Sequence, residues 1–239
     1  SDRNCMTVTP QPAATLVIIK DSPQGPLVLM QQRSTQARFV GGAWVFPGGK
    51  VDAADNDARW AQHCHELTDT EASAQLGLSS GGRAYWIAAV RECFEEAGLL
   101  PVYGRGWLAP SALNAWRQRM IDHSQSFTEL CISEGLILDT ARIHYLSHWI
   151  TPEPSPIRFD TRFFIMQAPE GQEPHHGLFE AVDTQWLTPE DALHRYRQGQ
   201  WTLILPTLIT LQDMTGHTNC RTLIQHLVTS VKSRYRAGA

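Results

Sequence analysis

Positive charge is in short supply in this chain. Twenty lysines and arginines stand against 24 aspartates and glutamates, a formal net charge of -4 at pH 7. No overall basic surface is left to attract a phosphate polymer, so nucleic acid is not an expected partner. Cysteine is sparse and scattered. Cys5, Cys64, Cys93, Cys131 and Cys220 are odd in number and include no C-x-x-C pair. That argues against a disulfide framework and a cysteine zinc site, and fits a reducing cytoplasm. Long apolar runs are missing too. The best stretches, 13–19 and 203–211, are too short or too broken by Thr and Pro206 to cross a bilayer, which takes about 20 residues. No membrane association is expected, no basic-then-apolar leader opens the sequence, and its last residues are not a peroxisomal S-K-L address. A cytoplasmic location is the expectation. There is no internal repeat and no low-complexity tract.

What is present belongs to a folded protein. Hydrophobic residues make up 42% and charged residues 18%, and eight tryptophans offer large surfaces for burial. A length of 239 residues is within reach of one α/β domain carrying insertions, so a single domain over 1–239 is expected.

Local patterns give the elements. "ATLVIIK" and "PLVLMQQRS" read as strands joined by the turn "DSPQG", a hairpin; "AWVFPGGKV" is a short apolar run stopped by Pro47 and two glycines. Residues 57–76 read as a helix, "GLSSGG" breaks it, and "AYWIAAVRECFEEAGLL" forms the next, with Gly98 as its left-handed C-cap. Two helices follow over 111–125 and 126–136, then strands over 141–152 and 160–169 around a proline-rich loop. "EAVDTQW" reads as a strand leading to a helix capped at Thr188 with Pro189 in its first turn, and the rest of the chain is helical.

The chemistry concentrates in "AVRECFEEAGLL". Glu92, Glu95 and Glu96 stand at i, i+3 and i+4 and project from one helix face. Such a pattern also describes a solvated surface. It becomes a site when a dication offsets the repulsion, and hard carboxylate oxygens suit Mg2+ or Mn2+ shared with a substrate phosphate. Arg91 lies about 100° round the helix from Glu92 and is placed to pair with or orient a loop carboxylate. Upstream, "FPGGKVDAAD" runs from a strand into a glycine turn, where Gly48 and Gly49 permit close approach of a ligand, followed by Asp52 and Asp55.

Gly49 and the run Arg91-Glu92-Cys93-Phe94-Glu95-Glu96-Ala97-Gly98-Leu99 resemble the two ends of the Nudix hydrolase signature: a glycine, five residues, a glutamate, seven residues, then R-E-x-x-E-E-x-G and an apolar residue. The glutamate position is Asp55, and 35 residues, 56–90, replace the usual seven. Such an excursion costs little in loop-closure entropy. A branch of the family similar to the mammalian peroxisomal acyl-CoA diphosphatase carries an insertion of this kind, and "SHWITPEPSPIRFDTRFF" and "WLTPEDAL" also resemble it. The resemblance implies an α/β Nudix fold: a mixed β-sheet between helices, with a helical insertion over about 56–85 and C-terminal helices over about 189–236. It implies Mg2+ (or Mn2+) held by Glu95 and Glu96, with Glu92 as a further ligand or the base and Arg91 in the same catalytic group. Glu180, six residues before Trp186, matches a position where several Nudix enzymes place an additional metal ligand or base.

"LMQQRSTQARFVGGAWVFPGG" partly resembles a coenzyme A signature. Leu29, Ser34, Arg38, Gly42 and Phe46-Pro47-Gly48-Gly49 fall in register, while Gln31, Ala37 and Ala43 replace its threonine, leucine and glutamate. Arg33 and Arg38 are placed to clamp phosphates bidentately, and Arg158 and Arg162 flank a strand from which they can reach an anion; each also reads as a surface residue. Trp44 offers a face to adenine or belongs to the core, and His175 and His176 lie in a polar loop. The expected reaction is hydrolysis of a small-molecule diphosphate, CoA or acyl-CoA first. NADH, ADP-ribose or a nucleotide sugar is the alternative substrate, and a non-catalytic nucleotide sensor the alternative of another class. Oligomeric state is left open, with a homodimer as one option.

Overall fold

A computed structural model describes residues 8–104, 108–175 and 181–230. Its centre is β1 (Gln11–Lys20), which carries apolar residues on both faces. Ala14, Leu16 and Ile18 enter one apolar cluster, Val17 and Ile19 another on the opposite side. A strand covered on both faces must read as a nearly continuous apolar run, and "TLVIIK" does.

β6 (Phe159–Gln167) runs parallel to β1, from Gln11 opposite Phe159 to Ile19 opposite Gln167, and β5 (His144–Ile150) lies antiparallel beyond it. β2 (Leu27–Arg33) forms the expected hairpin with β1, and β4 (Gly48–Lys50) pairs with β1 from Ala13 to Thr15. β3 (Trp44–Val45) and β7 (Ala181–Leu187) both pair with β2. Among the described residues this is a mixed sheet of seven strands. On one face lie α1 (Asp69–Leu76), α2 (Arg83–Ala97), α3 (Pro110–Ile121) and α4 (Phe127–Ser133); on the other, α5 (Pro189–Arg197), α6 (Leu205–Asp213) and α7 (Cys220–Ser230). The sandwich of a mixed sheet between helices is the architecture expected. No described helix is long and apolar enough to cross a membrane.

Two stretches depart from expectation: Gly48 and Gly49, read as a turn, are in the strand β4 because they pair with Thr15 and Ala14 of β1, and the insertion is not one helix. Residues 57–76 are not a single helix but a 3-10 turn at Ala58–Gln62, an extended piece bridged to Leu138 through Cys64, and then α1; a further 3-10 turn, Ala53–Asn56, precedes them. Two local caps interrupt it: Asp57 accepts from the Arg59 amide, and Thr68 with Glu71 forms a capping box that restarts the helix. Tertiary burial fixes the break. Trp60 is fully buried, donates its indole N–H to Ala54 O at 3.1 Å and stacks on Phe127.

The insertion also terminates α2. The N-cap of α2 is Gly82, which has no side chain to offer. Asp69 accepts from the Gly81 and Arg83 amides at 2.9 and 3.1 Å, and Ser73 Oγ accepts from Gly82 N at 2.8 Å. Three successive N–H groups are thereby satisfied from α1, and a carboxylate stands at the positive end of the α2 dipole. Asp69→Ala is expected to lower stability by about 1 to 2 kcal/mol, the upper range for a lost helix cap, measured as a shift of the urea midpoint at unchanged m-value.

Candidate metal and diphosphate site

α2 turns its apolar stripe, Ala89, Val90, Cys93, Phe94 and Ala97, into the core and leaves Glu92, Glu95 and Glu96 beside it. These acids are not an open solvated face: the Glu92 and Glu95 side chains are 14% and 26% exposed. Gly98 closes the helix with φ 72°, as its sequence position implies.

Arg91 is the hub. Its Nε and Nη2 donate to the two oxygens of Asp55 at 2.9 and 3.0 Å, and Nη2 also donates to Lys50 O at 2.8 Å. Nη1 reaches Glu92 at 3.0 Å and Glu95 at 3.5 Å, and Asp52 is 3.4 Å from Nη2. Asp55 is 1% exposed and accepts the Asp52 amide as well. The residue standing at the signature's glutamate position therefore meets Arg91 in space although 35 residues separate them in the chain.

The glycines of β4 close on the same helix. Gly48 N donates to Glu96 Oε2 at 3.1 Å. A side chain at Gly48 would strike Ala14 O at 2.6 Å, and one at Gly49 would collide with the carboxylate of Glu92. Gly48 needs glycine because the β1 backbone leaves no room for a Cβ, whereas a Cβ at Gly49 would displace the Glu92 carboxylate from its position.

One guanidinium facing four carboxylates is a charge deficit. Burial pushes Glu92 up to about 7; Arg91 opposes the shift, and Glu95 and Asp52 add to it. Burial raises Glu95 too, against Arg91 and with Asp52 and Asp55. Burial disfavours the Arg91 charge, yet Asp55, Glu92 and Glu95 outweigh it and hold the guanidinium charged.

A cleft opens beside Glu96, lined by Gln31, Gln32, Arg33, Val45, Phe46, Gly48 and Ala181. It contains Arg33 of the arginines considered from sequence. Arg38 is exposed on the segment between β2 and β3. Arg158 and Arg162 do not border the cleft. Arg158 donates to Thr151 O at 2.9 Å and Val8 O at 2.7 Å, bracing main-chain carbonyls of an irregular loop. Arg162 is 5% exposed, against the Tyr85 ring and 3.9 Å from Asp160. Trp44 is a core residue, stacked on Trp201 with centroids 3.9 Å apart. His175 lies at the far end of α2, its amide donating to Ala97 O. His176 and Glu180 fall outside the described residues.

With this geometry in view, residues 68–214 match the family model of the NUDT19 Nudix domain, more than half of the chain. The chain belongs to the Nudix family. It is 32% identical over 210 residues to human acyl-coenzyme A diphosphatase NUDT19, covering 72% of this chain and 56% of that protein. The chicken protein of the same name is 30% identical over 235 residues, covering 80% and 62%. The chain thus spans less than two thirds of the length of these relatives. Among solved structures, a Nudix hydrolase from Alicyclobacillus acidocaldarius is similar with a TM-score of 0.73 and 26% identity, over 92% of this chain and 97% of that one.

Nudix hydrolases in general use divalent metals. The donor set here suits one: hard carboxylate oxygens on successive turns of the Nudix helix, short of positive charge and partly withdrawn from water. As the side chains stand, no three His, Cys, Asp or Glu among the described residues converge into a metal-holding group. Glu92 is turned to Arg91 and Glu96 to the Gly48 amide.

Two residues that hold the Nudix helix escaped sequence reasoning. Arg117, 2% exposed on α3, donates to Glu95 O at 2.9 Å. Gln31 donates to Glu96 O at 3.1 Å. The one available signal was Gln31 itself, a polar residue at an inward position in the alternation Leu29, Gln31, Arg33 on β2.

Proposed function

We propose that the chain is a metal-dependent hydrolase of a phosphoanhydride bond in a small-molecule diphosphate, with CoA or an acyl-CoA as substrate. The observation that carries the reading is the closure of the split box: the glycines of β4, Asp55, Arg91 and the three glutamates of α2 form one group across the insertion. The names of the 32% and 30% identical relatives and the partial CoA signature support the choice of substrate.

In this reading Glu95 and Glu96 hold Mg2+ or Mn2+, with Glu92, and Glu180 from the segment before β7, as further ligand or base. The metal supplies charge neutralisation of the diphosphate and a more acidic attacking water. The chain's own groups do the rest. Gly48 and Gly49 let the diphosphate approach the backbone, Arg33 meets its negative charge in the cleft, and Arg91 with Asp55 keeps Glu92 and Glu95 oriented. Water attacks one phosphorus, the P–O–P bridge breaks, and a glutamate takes the proton. CoA would yield 3',5'-ADP and phosphopantetheine.

The test is a hydrolysis panel of CoA, acyl-CoAs, NADH, ADP-ribose and nucleotide sugars with Mg2+ and with Mn2+, products identified by mass. The expected result is metal-dependent release of 3',5'-ADP from CoA or acyl-CoA. Preference for ADP-ribose, NADH or a sugar nucleotide would reassign the substrate; tight metal-independent binding of a nucleotide with no product would support the sensor.

A further inference from the structure

The cleft beside Glu96 is built from the α2-facing side of β2 and the last turn of α2, and its chemistry is specific. Gln31 is 2% exposed, and its Nε2 donates to the main-chain carbonyl of Glu96 at 3.1 Å. A carbonyl can only accept, so this bond sets the orientation of the carboxamide: nitrogen toward α2, oxygen away from it. Gln32 is fixed in the same sense, its Nε2 facing Gly42 O at 3.4 Å. Each carboxamide thus spends one N–H on a main-chain carbonyl and keeps its oxygen as an acceptor for a ligand. Arg33 on the same strand adds a cation, and Phe46 an aromatic edge.

We infer that this cleft is the subsite for an N–H-bearing portion of the substrate on one side of the diphosphate, and that Gln31 is its specificity-determining residue, accepting that N–H through Oε1. The inference rests on the hydrolase reading only for the word substrate; the contact itself is a binding event. The position favours it. Glu96 lines the cleft and accepts from Gly48 of β4, so a group seated here lies next to the glycines and glutamates of the split box. An acceptor buried at the base of a cleft discriminates strongly, because a ligand lacking the matching donor strands it without a partner. Two parts of a CoA-type molecule carry such donors, the exocyclic amine of adenine and the amides of the pantetheine arm.

The experiment is calorimetric titration of the full chain with uncleaved halves: AMP, 3',5'-ADP and 4'-phosphopantetheine, for the unmodified protein and for Gln31→Leu. Gln31→Leu is expected to weaken one half, either the two adenine ligands together or the pantetheine ligand, by about tenfold and to leave the other unchanged. The half that loses affinity identifies the source of the N–H. Equal weakening of both halves means that Gln31 only steadies α2 and overturns the inference, as does no weakening of either. A second measurement needs no variant. The side-chain amide resonances of Gln31 and Gln32 in the unmodified protein are expected to shift with one half and not with the other; a flat response to all three ligands also overturns it. Because no ligand is cleaved, a chain that binds a half through Gln31 yet hydrolyses nothing would refute the hydrolase reading and leave the subsite standing.

Discussion

Glu96→Gln is expected to reduce turnover at least about a hundredfold, the scale on which loss of one preorganised charged group acts on a reacting phosphate, with little change in stability. The amide keeps the size of the carboxylate and retains an oxygen for the Gly48 N–H, 3.1 Å away, so the contact between β4 and the helix survives while the charge that would hold a dication is gone. Steady-state hydrolysis with saturating Mg2+, beside thermal melts of both proteins, checks the two halves of the expectation. Full metal-dependent activity in the variant would remove the basis of the proposed function. Glu92→Gln gives a companion result that does appear in stability, through its dependence on pH. Burial, with Glu95 and Asp52 adding, raises Glu92 from 4.5 to about 7 against the pull of Arg91. An acid with a raised folded-state pKa stabilises the protein below its unfolded pKa and loses that advantage as pH climbs through the folded value. Metal-free protein should therefore lose on the order of 3 kcal/mol between about pH 4.5 and pH 8, and Glu92→Gln should flatten that decline as activity disappears. Melts across this range in the presence of a chelator measure it.

Asp55→Ala is the second large effect, and it falls on stability before activity. Asp55 is fully enclosed, accepts from Nε and Nη2 of Arg91 and accepts the Asp52 amide. Removing it leaves a buried guanidinium with two lost hydrogen bonds and an orphaned N–H, a change that costs about 3 kcal/mol or more when one partner of a buried pair is deleted. For a chain of this size that is a fall in melting temperature of roughly 6 to 12 °C. Activity should fall with it even below the melting transition, because Arg91 would swing toward Glu92 and Glu95. A melting temperature unchanged within about a degree would mean that the turn and α2 are held together by other contacts.

How far the sequence could be read depended on whether each signal was local. The hairpin of β1 and β2, the helix from Arg83 to Ala97, its glycine stop at Gly98 and the Thr188–Pro189 start of α5 all follow from periodicity and cap chemistry within a few residues, and all are present. Residues 57–76 carry helix-forming composition, yet burial of Trp60 and the bridge from Cys64 to Leu138 override it. The arginines show the same division. Nothing near Arg158 or Arg162 in sequence reveals that Val8 and Tyr85 will occupy them, and nothing near Gln31 or Arg117 reveals the carbonyls of Glu96 and Glu95. A long polar side chain has many possible partners, and its choice is made by whichever strand or helix packs beside it.

By itself the sequence determined the reactive parts list: a pair of glycines, a helix with three glutamates on one side, and a strand dense enough in apolar residues to be covered on both faces. Periodicity and turn chemistry dictate these within a dozen residues. Tertiary structure alone decided that the two ends of the split box meet, that Asp55 is consumed by Arg91, and that the intervening excursion caps α2 through Asp69 and Ser73. Those contacts join residues about 10 to 40 positions apart, and they form because packing Trp60 and α1 against α2 recovers more free energy than closing the loop costs.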